Sequence, residues 1–274
     1  MELYITRHGQ TKANIELYMQ GQTPGELTSE GCEQAKKFGI YYKDMIFDEI
    51  YCSDLLRAKK TLEIILNENI HKGINQARIT FTEKLREINV KSLEYKPCSL
   101  DQKLRNNPPE RYRFNLTGKN DETFIDVFYR ISEFLDFLIR KHISNNYNSG
   151  ITKENVYKLN EEAKVISSND FLELWEKGKL SLNIDNNLCM KFKKILIVCH
   201  GGSIFEMVNN ILYRTKRNVV LKRLKSQNTG LYIIDVFSNH DKINKKENKN
   251  NSKDKDILFS FKLVNDYTHL ISNK

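Results

Sequence analysis

The chain has 274 residues, of which 39% are hydrophobic and 29% charged, and it carries a formal net charge of +9. This composition excludes collagen and wholesale disorder, and the length allows one sizeable core. No apolar run approaches the roughly 18–20 residues that a membrane span requires. The first residues lack the basic leader and long apolar stretch of a signal peptide. We therefore expect no membrane association.

Five cysteines are scattered along the chain, at positions 32, 52, 98, 189 and 199. Their odd number and the absence of a CxxC pair argue against a disulfide framework and against a structural zinc site. Because such cysteine usage is typical of a reducing compartment, we expect a cytoplasmic location.

Part of the positive charge lies in residues 238–256, which hold six Lys, four acidic residues and almost no apolar ones. Such a segment cannot bury enough apolar surface to offset its ordering entropy, so we predict a mobile, solvated loop. Nucleic-acid binding favours clustered Arg and Lys with aromatic residues between them, whereas these Lys are spaced by Asn and acidic residues. We therefore expect no nucleic-acid partner.

Hydrophobic periodicity and turn residues predict alternating strands and helices along the chain. The predicted elements, in chain order, are strand 2–6, helices 12–17 and 32–43, strand 48–53, helix 54–67, strand 79–82, helix 122–143, strand 194–199, helix 203–212 and strands 230–236 and 257–263. Residues 144–187 are polar and predict a moderately disordered insertion with one weak helix. The alternation favours one domain over residues 1–274, a doubly wound α/β fold with a mostly parallel sheet and helices on both faces.

Two predicted strands end in the same kind of sequence. Arg7-His8-Gly9 follows the first strand, His200-Gly201-Gly202 follows strand 194–199, and Arg57 lies near the start of the helix after strand 48–53. Ligands of open α/β sheets bind beyond the carboxyl ends of the strands, so these side chains should meet at one edge. Glycines let backbone amides approach an anion, and Arg offers a planar, permanently charged fork for phosphate. The pattern predicts a phosphate pocket.

The sequence around these residues resembles the histidine phosphatase superfamily, which has the phosphoglycerate-mutase-like fold. Residues 7–14, RHGQTKAN, resemble its RHGxTxxN signature, and residues 198–202, VCHGG, are similar to its second histidine motif. Further resemblances occur in register: MQG at 19–21, LTSEGCEQA at 27–35, YCSDLLRAKKTLEII at 51–65, LREINVKSLEYKP at 85–97, DET at 121–123 and NTG at 228–230. The resemblance covers about residues 1–123 and 194–236.

This resemblance implies a role for each matching residue. His8 would be the nucleophile that forms a phosphohistidine, and Arg7, Arg57 and His200 would neutralise the phosphoryl oxygens. Glu87 would be the general acid and then the general base, with Glu83 and Glu94 as nearby rivals. Secondary phosphate and substrate contacts are expected from Asn14, Gln20, Gly21 and Gly201. Neutral imidazole is nucleophilic by itself, so we expect no metal and no cofactor.

Departures from the family pattern favour a phosphatase over a cofactor-dependent phosphoglycerate mutase. Lys91 stands where a glycine is usual, Gly202 stands where the mutases carry Asn, and Arg111 and Arg113 are separated instead of adjacent. A catalytically silent interaction protein of the same fold is a further alternative. The substrate stays open between phosphosugar, phosphoglycerate, nucleotide and phosphoprotein. The sequence does not decide the oligomeric state, and a homodimer is left open.

Overall fold

The structure is a computed structural model and describes residues 1–68, 79–99, 121–156, 163–180, 192–215, 219–221, 224, 226–238 and 257–271. Nearly all of the Lys- and Asn-rich loop predicted at 238–256 lies outside these residues, as do Arg111, Arg113 and Cys189. The predictions for those positions stay predictions.

The described residues form strands and helices that alternate through most of the chain. The strands are β1 (Glu2–Arg7), β2 (Glu49–Ser53), β3 (Ile79–Thr82), β4 (Lys164–Ile166), β5 (Lys194–Cys199), β6 (Val219–Leu221), β7 (Leu231–Ser238) and β8 (Ile257–Asp266). The helices are α1 (Lys12–Glu16), α2 (Ser29–Tyr41), α3 (Leu56–Glu68), α4 (Phe124–His142), α5 (Ser168–Glu176), α6 (Gly201–Arg214) and α7 (Thr268–Ile271). Two short 3₁₀ turns, Glu83–Leu85 and Lys91–Leu93, follow β3.

The main sheet has six strands in the order β3-β2-β5-β1-β7-β8. β3, β2, β5 and β1 are parallel, and β7 and β8 add two antiparallel pairings. β1 and β5 lie inside the sheet, and all but one residue of each is buried, which explains why both read as continuous apolar runs. The expected mostly parallel sheet is therefore confirmed, and the last two strands form an antiparallel pair.

Helices cover both faces of this sheet. Leu3 and Ile5 of β1 pack in one cluster with α4 and α6, whereas Tyr4 packs in the cluster formed by α2 and α3. The alternation follows from the period of two along a strand. α4 begins with a capping box in which Thr123 and Asp126 satisfy each other's backbone N–H groups. None of the described helices is both long and apolar enough to cross a membrane.

The described part of segment 144–187 contains regular structure, and one of its helices is the helix predicted there. It contains β4, which pairs with β6 in a second small sheet, and α5, which begins at a capping box between Ser167 and Asp170. Phe171 is fully buried, and its ring packs edge-on against Phe261 of β8 at 5.6 Å. The polar residues of α5 lie mainly on its outer face, and the few apolar residues of α5 pack it against the core.

Candidate active site

Neighbouring parallel strands deliver the candidate catalytic residues to one edge of the sheet. The register pairs Arg7 at the end of β1 with Cys199 at the end of β5, and β2 ends beside them. Just beyond these ends, the backbone N–H of His8 donates to the Cys199 carbonyl at 3.0 Å. The structure thereby brings Arg7, His8, Arg57 and His200 together at the carboxyl end of the sheet.

His8 is a buried, neutral imidazole. Its side chain is 2% exposed, and its Nδ1 atom lies 2.7 Å from the carbonyl oxygen of Gly9. Because a carbonyl only accepts, Nδ1 carries the proton and Nε2 keeps its lone pair. Nε2 lies 3.3 Å from the Nε donor of Arg57. Burial, followed by the charges of Arg57 and Arg7, holds the pKa of His8 well below its usual range.

His200 faces His8, with 5.1 Å between the two ring centroids. It is completely buried at the residue that precedes α6, and its Nε2 lies 2.8 Å from the Ser53 hydroxyl at the end of β2. No described residue hydrogen-bonds to its buried Nδ1. Burial, followed by the charges of Arg57 and the His8 ring, holds the pKa of His200 well below its usual range.

Arg57 is a deeply buried cation in the first turn of α3, with 1% of its surface exposed. Its two terminal nitrogens donate to the carbonyl oxygens of Thr23 at 2.9 Å and Gly21 at 2.8 Å. Burial lowers its pKa to about 10, so the side chain stays charged at neutral pH. The loop that contains Gly21 and Thr23 thus holds the guanidinium against His8.

Arg7 supplies the second permanent charge. Its Nη1 donates to the carbonyl of Ser226 at 2.7 Å, which fixes one end of the guanidinium. Its Nε is buried, and no described residue accepts a hydrogen bond from it. Arg7 therefore keeps donor capacity at the site that the rest of the described chain does not use.

Glu87 lies beside the start of α6, where it contacts Gly202, the residue that follows Gly201. Its Oε2 accepts from the backbone N–H of Gly202 at 3.1 Å, and its Oε1 accepts from the N–H of Ile88 at 2.9 Å. Its half-buried carboxylate is close enough to act electrostatically on Arg7 and Arg57. The structure thus places a carboxylate at the same edge as the two imidazoles.

Arg130 of α4 holds the loop that carries Glu87. It forms an ion pair of 2.8 Å with Glu122 and donates to the carbonyls of Lys84 at 2.8 Å and Glu87 at 3.2 Å. Glu122 in turn accepts from the backbone N–H of Asn89 at 2.8 Å. The sequence gives no signal for Arg130, because a charge inside an amphipathic helix resembles any solvated side chain.

The rival carboxylates lie elsewhere. Glu83 is 75% exposed and pairs with Arg86, which also forms a bidentate pair with Asp54 at 2.7 and 2.5 Å. Glu94 accepts from the backbone N–H of Gln22 at 3.1 Å. Arg86 is therefore engaged by carboxylates, and Glu87 alone among the three candidate acids contacts the start of α6.

Asn14 and Gln20 line the loops next to His8. The Asn14 side-chain oxygen accepts from the Asn228 amide at 3.1 Å, and the same Asn228 amide donates to the His8 carbonyl at 2.9 Å. The Gln20 side-chain oxygen accepts from the Thr11 hydroxyl at 3.0 Å. In this structure both side chains hold neighbouring loops.

Gly21 and Gly201 lie next to the two arginines. Gly21 has a φ of +54°, a conformation that favours glycine, and its carbonyl receives Arg57. Gly201 opens α6, and a Cβ atom there would lie 3.5 Å from the Nε of Arg7. Both glycines thus border the guanidinium groups.

Four residues organise the site although the sequence motifs assign them no role: Ser53, Gln22, Arg130 and Glu122. Gln22 donates from its side chain to the Glu87 carbonyl at 3.0 Å and so joins two loops. Ser53 carried a usable signal, since it is the last residue of a predicted strand that ends at the pocket. Gln22 and Arg130 act through backbone carbonyls, which no motif records, whereas Glu122 lies in the DET sequence at 121–123 and accepts from the Asn89 N–H.

The arrangement matches the charge and geometry of a phosphate ester. Two permanent cations flank two neutral imidazoles, and one imidazole has an unprotonated Nε2. A phosphate monoester dianion would balance the two arginines and accept from the unused donors of Arg7 and His200. Within the described ranges, no three His, Cys, Asp or Glu side chains are grouped to hold a metal ion.

Known proteins show the same fold and sequence signatures. The family described as "Histidine phosphatase superfamily (branch 1)" matches residues 3–148, which is more than half of the chain. Fructose-2,6-bisphosphatase TIGAR of Bos taurus is 27% identical over 242 residues, which cover 85% of this chain and 86% of that protein.

Two solved structures extend the likeness to almost the whole fold. A mycobacterial glucosyl-3-phosphoglycerate phosphatase, solved with VO3, matches with a TM-score of 0.58 and 17% identity over 96% of this chain and 98% of that chain. Phosphoglycerate mutase of Bacillus anthracis also has a TM-score of 0.58, with 19% identity over 99% of this chain and 95% of that chain. These likenesses confirm the phosphoglycerate-mutase-like α/β fold.

Proposed function

Because this chain belongs to the histidine phosphatase superfamily (branch 1), we propose that it is a phosphomonoesterase that transfers the phosphoryl group of its substrate to Nε2 of His8 before water releases it. The observation that carries the proposal is a pair of buried, unused donors beside a neutral imidazole whose Nε2 is unprotonated. Neither Nε of Arg7 nor Nδ1 of His200 has a partner among the described residues. A bound phosphoryl group supplies the missing acceptors.

The hydrogen bonds of His8 support its role as the nucleophile. The Gly9 carbonyl fixes the proton on Nδ1, so the lone pair of Nε2 is directed away from that bond. Burial, followed by the charges of the two arginines, keeps the ring neutral, and the arginines also attract the dianion. The N–P bond forms as the P–O bond of the ester breaks, and this splits one difficult displacement into two easier ones.

His200 supports the proposal as a neutral donor. The Ser53 hydroxyl accepts from the Leu55 N–H at 3.3 Å, and in this proposal it donates its own proton to Nε2 of His200 at 2.8 Å. The imidazole proton of His200 then resides on Nδ1, which can donate to a phosphoryl oxygen. Such a donor costs little reorganisation, because burial already holds the ring in place.

Glu87 would balance the protons of both steps. In the first step its carboxylic acid gives a proton to the departing alkoxide, and the P–O bond electrons stay with that oxygen. In the second step its carboxylate takes a proton from the attacking water, a new O–P bond forms and the N–P bond breaks. Inorganic phosphate and free His8 are the products.

The substrate is proposed to be a small phosphorylated metabolite, with a phosphoprotein as the second possibility. The relative that matches over most of this chain is named a fructose-2,6-bisphosphatase, so sugar phosphates are the first compounds to assay. The retained set of Arg7, His8, Arg57 and His200 argues against a catalytically silent family member. The cytoplasmic location, the lack of a cofactor and of a nucleic-acid partner, and the oligomeric state stay predictions.

The test is to trap the phosphoenzyme with a ³²P-labelled ester. The wild-type protein should carry an acid-labile, base-stable label, as a phosphoramidate does. His8→Asn keeps a polar side chain without the nucleophilic nitrogen, and it should abolish both label and turnover. His142→Ala, a matched control outside the site, should keep both. An acid-stable label, or normal turnover in His8→Asn, would overturn the mechanism.

A further inference from the structure

The loop of residues 226–230, between β6 and β7, contacts two candidate catalytic residues, Arg7 and His8. Its Ser226 carbonyl accepts from Arg7 at 2.7 Å, and the Thr229 N–H donates to the Arg7 carbonyl at 3.1 Å. The Asn228 amide donates to the carbonyl of His8 at 2.9 Å. The position of this loop therefore fixes both the side chain of Arg7 and the backbone of the Arg7-His8 pair.

One residue of this loop, Thr229, has an unfavourable backbone conformation. Thr229 has a φ of +55°, and a β-branched residue is a clear outlier in that region. Such a conformation persists only where surrounding contacts hold it. Thr229 is completely buried, so those contacts come from the protein interior.

The contacts come from the 265–271 segment, which includes the end of β8 and α7. The backbone N–H of Gln227 donates to the side-chain oxygen of Asn265 at 2.9 Å. The Thr229 hydroxyl donates to the Asn228 carbonyl at 2.7 Å and lies 2.9 Å from Nε2 of His269. A hydroxyl has a single proton, so Nε2 of His269 must be the donor in the second contact.

His269 is held as a neutral donor by its surroundings. It is 1% exposed, and rings of Phe38, Tyr41 and Tyr42 from α2 pack against it. Burial lowers its pKa to about 4, with Asp266 opposing the shift and Lys37 adding to it. The ring therefore keeps one proton, on Nε2, and that proton is directed at Thr229.

We infer that Asn265 and His269 are positioning residues for phosphate binding: they hold the 226–230 loop and, through it, the guanidinium of Arg7. This inference rests on the proposed function, because Arg7 is taken to bind the phosphoryl group. Neither residue belongs to the motifs around the two site histidines. Without them the Ser226 carbonyl loses its fixed position, so Arg7 should bind an anion less well although its own side chain is unchanged.

The first experiment measures orthovanadate binding by calorimetry, which does not depend on turnover, together with kcat/KM for p-nitrophenyl phosphate. His269→Phe keeps the aromatic packing but removes the donor, and it should weaken vanadate binding and lower kcat/KM by about three- to tenfold, the effect of one hydrogen bond. His269→Gln should restore most of both values, because its amide can donate from a similar position. Ile271→Ala, an exposed position of α7, is the matched control and should leave both values unchanged.

A second pair of variants tests the same loop from Asn265. Asn265→Asp keeps the acceptor oxygen for Gln227 and should bind vanadate as the wild type does. Asn265→Gly accepts the local backbone, where φ is +49°, but removes the acceptor, and it should bind vanadate more weakly. Thermal unfolding of each variant identifies any loss of folding.

The route through Arg7 is tested by a double-mutant cycle. In an Arg7→Ala background, His269→Phe should cause no further loss of vanadate affinity, whereas a general structural effect would add to it. Full vanadate affinity in both His269→Phe and Asn265→Gly, or additive losses in the cycle, would overturn the inference. If the wild type binds vanadate with these dependences but hydrolyses no phosphate ester, the proposed function fails and the positioning role stands.

Discussion

The Glu87 carboxylate occupies space that only a glycine at position 202 leaves open. Its Oε2 accepts from the Gly202 N–H at 3.1 Å, and a Cβ atom on residue 202 would lie 2.1 Å from its Oε1. Real Cβ atoms do not approach an oxygen so closely, and the flexible end of Glu87 would have to move. Position 202 therefore controls where the proposed general acid lies.

Gly202→Ala should consequently act through Glu87. The added methyl group should move the carboxylate from the start of α6, and we expect kcat on alkyl phosphates to fall by about 10- to 100-fold, within the range of a displaced acid. Aryl phosphates should lose much less, because their leaving groups need little protonation. The control is Gly202→Ala combined with Glu87→Gln, which should be no slower than Glu87→Gln by itself. Equal losses on both substrate classes would contradict this explanation.

Glu87→Gln should itself lower kcat on alkyl phosphates by about 10²–10⁴-fold, the usual contribution of a positioned acid. The amide keeps the size of the side chain but cannot give or take the proton. Glu83→Gln and Glu94→Gln are matched controls, since Glu83 is exposed and Glu94 contacts Gln22 instead of α6. A near-normal Glu87→Gln beside an inactive Glu83 or Glu94 variant would assign the acid elsewhere in this loop.

Activity should survive EDTA and should be inhibited by orthovanadate. The positive charge of the site comes from Arg7 and Arg57, and vanadate resembles the five-coordinate phosphoryl transition state. The measurement is phosphate release from a sugar phosphate after dialysis against EDTA, with and without added Mg²⁺, and then with increasing vanadate. Loss of activity in EDTA that Mg²⁺ restores would refute metal independence.

Stability should fall as the pH drops from 7 to 5. The pKa of His269 is about 4 in the folded protein, whereas an unfolded histidine titrates near about 6.5. Below pH 6.5 the unfolded chain binds a proton that the folded chain excludes, so this residue lowers the free energy of unfolding by about 1.4 kcal/mol per pH unit. His8 and His200 act in the same direction.

His269→Gln cannot bind this proton, so between pH 7 and 5 it should lose about 2 kcal/mol less than the wild type. Urea unfolding at both pH values measures the difference, and Ile271→Ala should show the wild-type dependence. A His269→Gln variant with an unchanged pH dependence would mean that His269 is already charged in the folded protein.

The features that the sequence predicts are those set by residues close together in the chain. β1, β5 and α4 are evident because buried parallel strands and an amphipathic helix leave strong patterns, and Arg7, His8 and His200 follow those strands directly. The three-residue strands β4 and β6 were missed, since three residues have no measurable periodicity. β4 and β6 pair with each other although they are far apart in the sequence, so no local pattern indicates the pairing.

The contacts that organise the site are the part that could not be predicted. Asn265 and His269 approach the 226–230 loop across the β7–β8 hairpin, and Arg130 supports the Glu87 loop through a carbonyl. A side chain that binds a backbone carbonyl can do so from any segment that the fold brings near. A Cβ atom on residue 202 would lie 2.1 Å from Oε1 of Glu87, and no sequence motif records so close an approach.

A phosphatase and a mutase differ in whether water reaches the phosphohistidine. A mutase must protect its phosphohistidine from water until the substrate has reoriented, which requires additional contacts and a closed pocket. Mutases of this family carry Asn where this chain has Gly202, and here a side chain at that position would collide with Glu87. Lys91 is exposed in the 3₁₀ turn beyond Glu87, where the family has a glycine. Both features favour hydrolysis of the phosphoenzyme.

We therefore expect phosphate release from 3-phosphoglycerate to exceed its isomerisation, without any need for 2,3-bisphosphoglycerate. Both reactions should be followed on one preparation, with and without the bisphosphate, and His8→Asn is the control because it should stop both. Gly202→Asn tests the structural reason: it should lower hydrolysis by displacing Glu87. If bisphosphate-dependent isomerisation outruns hydrolysis by more than about tenfold, a barrier difference of about 1.4 kcal/mol, the enzyme is a mutase and the phosphatase assignment is wrong.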